Sequence, residues 1–537
     1  MSKNLSELSA RQGLENNLFE NLGRTNPDKN QIAKNFLIGD SSVTGTMSFY
    51  DFLKDENKDK KVYVCNGSAC LCAGTQDKLI QQLEQHYDTN EIGHMTCLGR
   101  CHENKAFHID GQNYSGLSDN QINAVIINKE SDFSKDKYSC ESIGEKVLTK
   151  KPLMAQQIMT AFVQLTKQNK SQTLNEIKKS QLRGRGGAGF PIGFKLESAM
   201  KEDSEMKYII CNADEGDPGA YSDRYLLEQQ PYSVLFGIML SAYIVKAPYG
   251  ILYIRAEYPE SITIINQAIE TLAPMIDAID FDFKFKLISA QGAYICGEET
   301  ALINSIEGQR PEVRTRPPFP TQQGLFNKPT VVNNVETLAS LYAIIENGGD
   351  HYAAFGNELS TGTKLVSLDS FFNKPGIYEV EMGTALTDVF EKLGGGFKQA
   401  IKAVHIGGPL GGIVPVEKFI DLNISFESFA SNGFLLGHAS VVCIPQDFPM
   451  IKYLQHLFEF ASYESCGKCF PCRLGTKRGE ELFTKAIDQD LKIEKNLLND
   501  LLDTLEQGSL CAHGGGIPLP VRNTLKYFEG ELEAYFQ

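Results

Sequence analysis

Leu182 to Lys195 reads LRGRGGAGFPIGFK, five glycines among Arg183, Arg185 and Lys195 with little that could enter an ordinary core. Such a segment suits a loop lying against a bound phosphate. Gly184, Gly186 and Gly189 satisfy G-x-G-x-x-G, a spacing in which missing side chains let backbone N–H groups approach an anion near a helix start. A dinucleotide fingerprint also requires a buried strand directly before the glycines. The preceding SQTLNEIKKSQL, residues 171–182, is polar and helix-like, so a standard Rossmann unit is not expected and the flanking segments must decide.

Downstream, KYIICNADEGDPGAYSDRYLLE (207–228) runs from a buried strand into a turn bearing Asn212, Asp214, Glu215 and Asp217. Carboxylates repel phosphate, so these acids suit sugar hydroxyls, with a solvated acidic turn as the plainer alternative. A helix at 231–246, the strand GILYIRAEY, the helix PESITIINQAIETLAPMIDA and the strand FDFKFKLIS follow. That alternation implies a mostly parallel sheet covered on both faces. GAYICGEETALINSIEG (292–308) then places Gly297, Glu298 and Glu299 where a strand hands over to a helix, the usual place for ligand groups. Acids in a first helical turn also complement the dipole; that accounts for one of them, and a ligand role is expected for at least one. Arg316, the prolyl-flanked Phe319, Asn333 and Asn334 complete this stretch. Phe319 suits stacking on a planar ring or simple turn packing.

The cysteines form two quartets, Cys65, Cys70, Cys97 and Cys101 before the loop, and Cys466, Cys469, Cys472 and Cys511 after it. With thirteen cysteines and a polar N-terminus, MSKNLSELSARQGLENN, that carries no signal peptide pattern, the reading is metal ligation in a cytoplasmic protein rather than disulfides. The first quartet sits in a compact α/β segment, C-x4-C after the strand KVYVC and C-x3-C in CLGRC. These spacings are wider than zinc knuckles and favour [2Fe–2S]. In the second, C-x2-C-x2-C plus a remote fourth cysteine fits the corners of a [4Fe–4S] cube. Lys468 and Arg473 suit compensation of its charge or a solvated basic face, and His513 reads as a surface histidine. Cys72 reads as a spare, and Cys140, Cys211, Cys296 and Cys443 as buried small hydrophobes or inert thiols. The glycines of GGGFK and VHIGGPLGG, between residues 365 and 445, lack an attending lysine and read as hairpin turns.

Composition excludes several classes. A formal charge of −15 over 537 residues disfavours a general nucleic-acid or membrane-surface role. The longest apolar run, Ser233 to Val245, is shorter than the roughly 20 residues of a membrane span. The length calls for several cores.

RGRGGAGFP-x-G-x-K, NADEGDPG, GAYICGEETALINS-x-EG, PPFP and NNVETLA, in this order, resemble the 51-kDa flavin-binding subunit of complex I and its soluble relatives in NAD-linked hydrogenases and formate dehydrogenases. The first cysteine segment is similar to the thioredoxin-like [2Fe–2S] domain of the 24-kDa subunit. The resemblance implies a multidomain α/β chain: an N-terminal segment (1–60), a thioredoxin-like ferredoxin domain (61–130), a linker and helix (131–174), an atypical Rossmann-like FMN- and NAD(H)-binding domain (175–362), a small ubiquitin-like β-grasp domain (363–446) and a C-terminal helical bundle carrying [4Fe–4S] (447–537). It implies FMN held by Gly184, Arg185, Gly186, Gly187, Gly189 and Lys195, by Asn212 and Asp214, by Tyr294, Gly297, Glu298 and Glu299, and by Asn333, Asn334 and Thr337. NAD(H) would stack over the flavin against Phe190 and Phe319, with Glu215, Glu299 and Arg316 nearby. Two departures stand out. The family has aromatics after the lysine where this chain has Leu196, Glu197 and Ser198, and Arg316 stands where Lys is frequent.

The implied activity is hydride transfer between NAD(H) and FMN, then single-electron transfer to the clusters. It needs no protein acid or base, Glu215 and Glu299 being the nearest candidates. Three readings compete: the NAD-reducing subunit of a soluble formate dehydrogenase, the same module of a hydrogenase or of complex I, and a non-catalytic cluster-bearing scaffold. No cysteine follows Cys511, whereas hydrogenase relatives often carry a ferredoxin tail, which favours formate dehydrogenase. Expected partners are iron–sulfur, molybdopterin or hydrogenase subunits, including a separate 24-kDa-like [2Fe–2S] subunit.

Overall fold

The computed structural model describes residues 14, 18–22, 27–130 and 132–537. Residues 1–13, 15–17 and 23–26 of the N-terminal segment lie outside the described residues, as does Ser131.

The first cysteine-bearing unit is a four-stranded sheet in the order β2 (Ile92–Met95), β1 (Val62–Cys65), β3 (Phe107–Ile109), β4 (Gln112–Tyr114). β1 and β2 run parallel, so their C-terminal ends deliver Cys65 and Cys97 to one side. The chain leaves it through β5 (Ser139–Ile143), which joins a different sheet. Reading 131–174 as only a linker and helix misses this strand, because SCESI carries no apolar alternation and its pairing is set by a remote partner, Gly376–Val380.

The central sheet is fully parallel, in the order β8 (Lys284–Ser289), β7 (Tyr249–Ile254), β6 (Tyr208–Ala213), β9 (Thr330–Asn334). Side chains alternate between its faces. Ile209, Cys211, Leu252 and Ile254 join the core under the helices Pro231–Val245 and Pro259–Asp277. Tyr208, Ile210, Ile251 and Tyr253 face the other way, onto Leu18, Leu22, Val43, Met47, Tyr50 and Leu53. The N-terminal segment is therefore the sheet's second cover. The apolar run at Ser233 to Val245 is a helix buried nearly all round, and among the described residues no helix is long and apolar enough to cross a membrane.

The third sheet runs β13 (Gly412–Pro415), β12 (Ile401–Ile406), β14 (Ser440–Pro445), β10 (Thr363–Leu368), β11 (Gly376–Glu381), β5. Its apolar face shares one core with the C-terminal helices Met450–Tyr463, Phe470–Asp488 and Lys495–Gly508 and with the cysteines of the first unit.

Candidate functional site

The glycine loop lies between the helices Lys170–Lys179 and Ile192–Lys201, ahead of β6, so the element directly before it is a helix and not a strand. Gly187 takes φ +112°, where an L side chain is strained, and a Cβ there would meet no atom closer than 3.7 Å. Those atoms belong to Gly437 and His438, ordinary van der Waals neighbours, so here the loop packs against the turn before β14 and it is the positive φ that calls for glycine. Gly186 is packed instead: a Cβ would come within 2.9 Å of Asn334.

Arg185 departs from its expected role. It is fully buried, and its guanidinium donates to the carbonyls of Thr361 (2.5 Å), Thr363 (3.1 Å) and Arg183 (3.3 Å), while its backbone N–H donates to Thr337 Oγ1 at 2.8 Å. Thus Arg185 pins the loop to β10 and Thr337 holds its backbone, so neither side chain is spare for a ligand. Lys195 remains at the mouth, its Nζ 3.1 Å from Glu299 Oε2 and 3.0 Å from the Val332 carbonyl.

The two glutamates divide their work. Glu298 caps the helix Glu299–Ile306, accepting from Thr300 N and Ala301 N at 2.9 Å, and Arg316 bridges Glu298 and Glu299 at 3.1 and 3.2 Å. The structural role expected for one acid thus falls to Glu298, leaving Glu299 at the mouth. Asn212 donates to the Gly297 carbonyl (2.9 Å), tying the acidic turn to this loop. Tyr294 donates to Asp217 at 2.8 Å. Asp214 Oδ2 and Asn333 Nδ2 are enclosed and have no protein partner. Burial pushes the Asp214 carboxyl up to about 8, so it can donate to a ligand oxygen as well as accept. A glycine loop, one lysine and an acceptor–donor pair match a group with a phosphate, hydroxyls and a polar ring edge, as FMN has.

Phe190 and Phe319 are both about half exposed beside this mouth. Phe190 packs edge-on against Phe194, centroids 5.5 Å apart. Phe194 is the aromatic neighbour that the sequence reading, looking only after Lys195, overlooks. Glu215 lies deeper: it is 5% exposed and accepts from Asp223 N (2.9 Å), Arg224 N (3.1 Å) and Tyr258 Oη (3.1 Å).

All four cysteines of the first quartet are buried and free, with Cys97 and Cys101 sulfurs 3.2 Å apart. Gly99 N and Gly219 N donate to Cys97 (3.4 Å) and Cys101 (3.3 Å). In the second, Cys469 caps the helix Phe470–Asp488 and Cys511 caps Ala512–Gly516. Burial pushes Cys472 up to about 11 and Cys511 up to about 12, thiols whose ionisation waits on a bound metal. Among the described residues, Glu215, Asp223 and His438 also bring three ligand groups within 4.8 Å of one another.

Two smaller expectations, for His513 and Cys140, change. His513 is buried, not superficial, bonded through Nε2 to the Ala461 carbonyl at 2.9 Å. Lys468 pairs with Glu312 at 3.0 Å and Arg473 lies over the Phe470 ring, so neither is committed to cluster charge. Cys211, Cys296 and Cys443 are buried, but Cys140, on strand β5, is exposed. Cys72 is buried.

The Nuo51 FMN-binding domain model matches residues 177–343, the thioredoxin-like [2Fe–2S] ferredoxin model 25–130, and the NADH-ubiquinone oxidoreductase-F iron–sulfur binding region 452–535. NADP-reducing hydrogenase subunit HndC of Solidesulfovibrio fructosivorans is 40% identical over 68% of this chain and 76% of its own. The chain belongs to the Nuo51 family. An NADH-quinone oxidoreductase subunit of Escherichia coli is 37% identical over 69% of the chain and 85% of its own. NAD-reducing hydrogenase HoxS subunit alpha of Cupriavidus necator is 31% identical over 93% and 87%. A solved NAD+-reducing [NiFe]-hydrogenase in the H2-reduced state superposes with TM-score 0.87 at 28% identity, covering 97% of this chain and 92% of that one. As a Nuo51-family member the chain is a flavin iron–sulfur oxidoreductase subunit with FMN-binding, [2Fe–2S] and [4Fe–4S] domains, of the complex I or NAD-reducing hydrogenase type.

Proposed function

We propose that this chain is the NAD(H)-reactive subunit of a soluble, hydrogenase-type assembly. Bound FMN supplies the chemistry that couples a two-electron hydride carrier to one-electron clusters. The chain's residues position the reactants. Lys195 and the glycine loop take the phosphate, Asp214, Asn333 and Glu299 face hydroxyl and ring-edge groups, and Phe190 and Phe319 form an aromatic wall for the nicotinamide. Excluding water and fixing the approach of the rings is the protein's share of the rate.

The observation that carries this reading is a bond between two units. Gly219, in the acidic turn of the flavin site, donates its N–H to Cys101 Sγ at 3.3 Å. Arg255 adds a second tie, donating to the carbonyls of Glu215 and of Thr96, the residue before Cys97. The first quartet is thus wired to the flavin pocket itself, which a mere scaffold would not require.

Hydrogen is favoured over formate as the remote substrate. A hydrogenase chain is matched over 92% of its length, so the want of a cysteine after Cys511 does not separate the two. The fused ferredoxin unit disfavours complex I. Anaerobic addition of NADH to the purified protein should bleach the flavin band, with roughly six irons per chain; no flavin, or zinc in place of iron, would sink the reading. Co-purification names the partner: a nickel–iron or di-iron subunit supports hydrogen, and a molybdopterin subunit overturns it in favour of formate.

A further inference from the structure

His438 is 6% exposed and belongs to the turn before β14, in the sheet to which the sequence assigned no chemistry. Its Nδ1 lies 3.6 Å from Glu215 Oε1 and its Nε2 3.4 Å from Asp223 Oδ2. Neither nitrogen has a hydrogen-bond partner, and Asp223 Oδ1 is likewise enclosed and unpartnered. Asp223 Oδ2 also accepts from Asn334 Nδ2 at 2.7 Å, and Asn334 stands against Gly186 of the glycine loop. A Cβ placed on Gly187 would lie 3.7 Å from Gly437 Cα and 3.9 Å from His438 N. The imidazole therefore sits between the acidic turn, which it meets at Glu215, and the loop, which it reaches through Asp223 and Asn334.

We propose that His438 is a positioning residue of the flavin site, an imidazolium clamped between Glu215 and Asp223 that offsets the repulsion between these carboxylates and keeps Asp223 on Asn334. Two buried carboxylates this close repel. Without a cation between them Asp223 is pushed off Asn334, and the loop loses the partner that fixes it. The groups facing His438 are Glu215, Asp223 and Asp217, which favour the charged ring, and Lys364, which opposes it. Despite burial, the two nearest acids lift the imidazole to about 9. Below that pH the clamp holds; as pH rises through it the proton leaves, two uncompensated carboxylates remain, and flavin affinity falls.

The inference rests on the reading of the glycine loop as the FMN cradle. The test is the FMN dissociation constant of the holoprotein, followed by flavin fluorescence on dilution between pH 6 and 10, for the native chain, His438→Gln and His438→Lys. Native affinity should weaken in a step near pH 9. His438→Gln should bind about tenfold more weakly at pH 7 and lack that step, with iron content unchanged, and His438→Lys should recover most of the loss. Native affinity in His438→Gln, a flat native profile from pH 8 to 10, or a lysine variant no better than glutamine overturns the proposal. If His438→Gln does not accumulate, the native profile decides alone. A native protein that binds no FMN removes the cradle and the proposal together, a result distinct from pH-independent binding.

Discussion

Lys195 Nζ and Glu299 Oε2 stand 3.1 Å apart across the mouth of the glycine loop, so the loop's one lysine is aimed by an acid from the facing loop. Replacing Lys195 with Met removes the charge opposite a bound phosphate. It should weaken FMN binding by about 2 kcal/mol, the scale of one charged hydrogen bond. The flavin-to-iron ratio of the purified variant reads this directly; an unchanged ratio refutes the assignment.

Gly187→Val places a branched side chain at φ +112°, against Gly437 and His438. Flavin should be lost while both clusters' iron stays, because the atoms it strains against belong to the loop and to that turn and not to a cysteine ligand. Full flavin occupancy would show that the loop's conformation at Gly187 does not serve the flavin.

The quartets should fail independently. Cys97→Ser should leave about four irons per chain and Cys469→Ser about two, checked by iron analysis and low-temperature electron paramagnetic resonance. Loss of all iron in either variant would mean that the quartets are not separate sites.

Arg185→Met strips the donors from the Thr361 and Thr363 carbonyls in a fully buried setting. A cost of about 3 kcal/mol follows from two acceptors left unpaired, seen as a lower unfolding midpoint together with reduced flavin retention. A variant as stable as the native chain would return Arg185 to the ligand residues.

His405 bonds Tyr453 Oη (2.9 Å) and the Gly411 carbonyl (3.2 Å), and burial pushes its pKa down to about 4. The unfolded chain titrates near 6.5. Between these values the unfolded state binds more protons than the native, so stability falls as pH drops from about 6.5 toward 4 and does not change above that window on this account. Denaturant midpoints from pH 7 to 4.5 should show this slope, and His405→Gln should flatten it.

What the sequence made legible was local. LRGRGGAGFPIGFK and the two cysteine quartets carry their chemistry within a few residues of one another, and the alternation from Tyr208 to Ser289 set the parallel sheet. What it hid depended on distant pairing. Arg185 looks like a phosphate ligand until Thr361 and Thr363 claim it, some 176 and 178 residues away. His438 sits in an unremarkable turn and gains meaning only beside Glu215 and Asp223. His513 looks superficial because the glycines after it suggest a loop, whereas the Ala461 carbonyl draws it inward. The N-terminal helices are short and polar in composition, so their role as a cover over Tyr208 and Tyr253 was invisible without the sheet they cover.

The strand Ser139–Ile143 runs parallel along Gly376–Val380 before the chain enters the flavin domain. It therefore decides where this polypeptide can be divided. Cutting between residues 129 and 138 would leave the six-stranded sheet whole, whereas a fragment begun at residue 150 would bare the backbone of Gly376–Glu381 as a sticky edge. The strand after the ferredoxin unit thus belongs to the sheet that follows, and splitting the chain into two polypeptides succeeds only if Ser139–Ile143 travels with the flavin half.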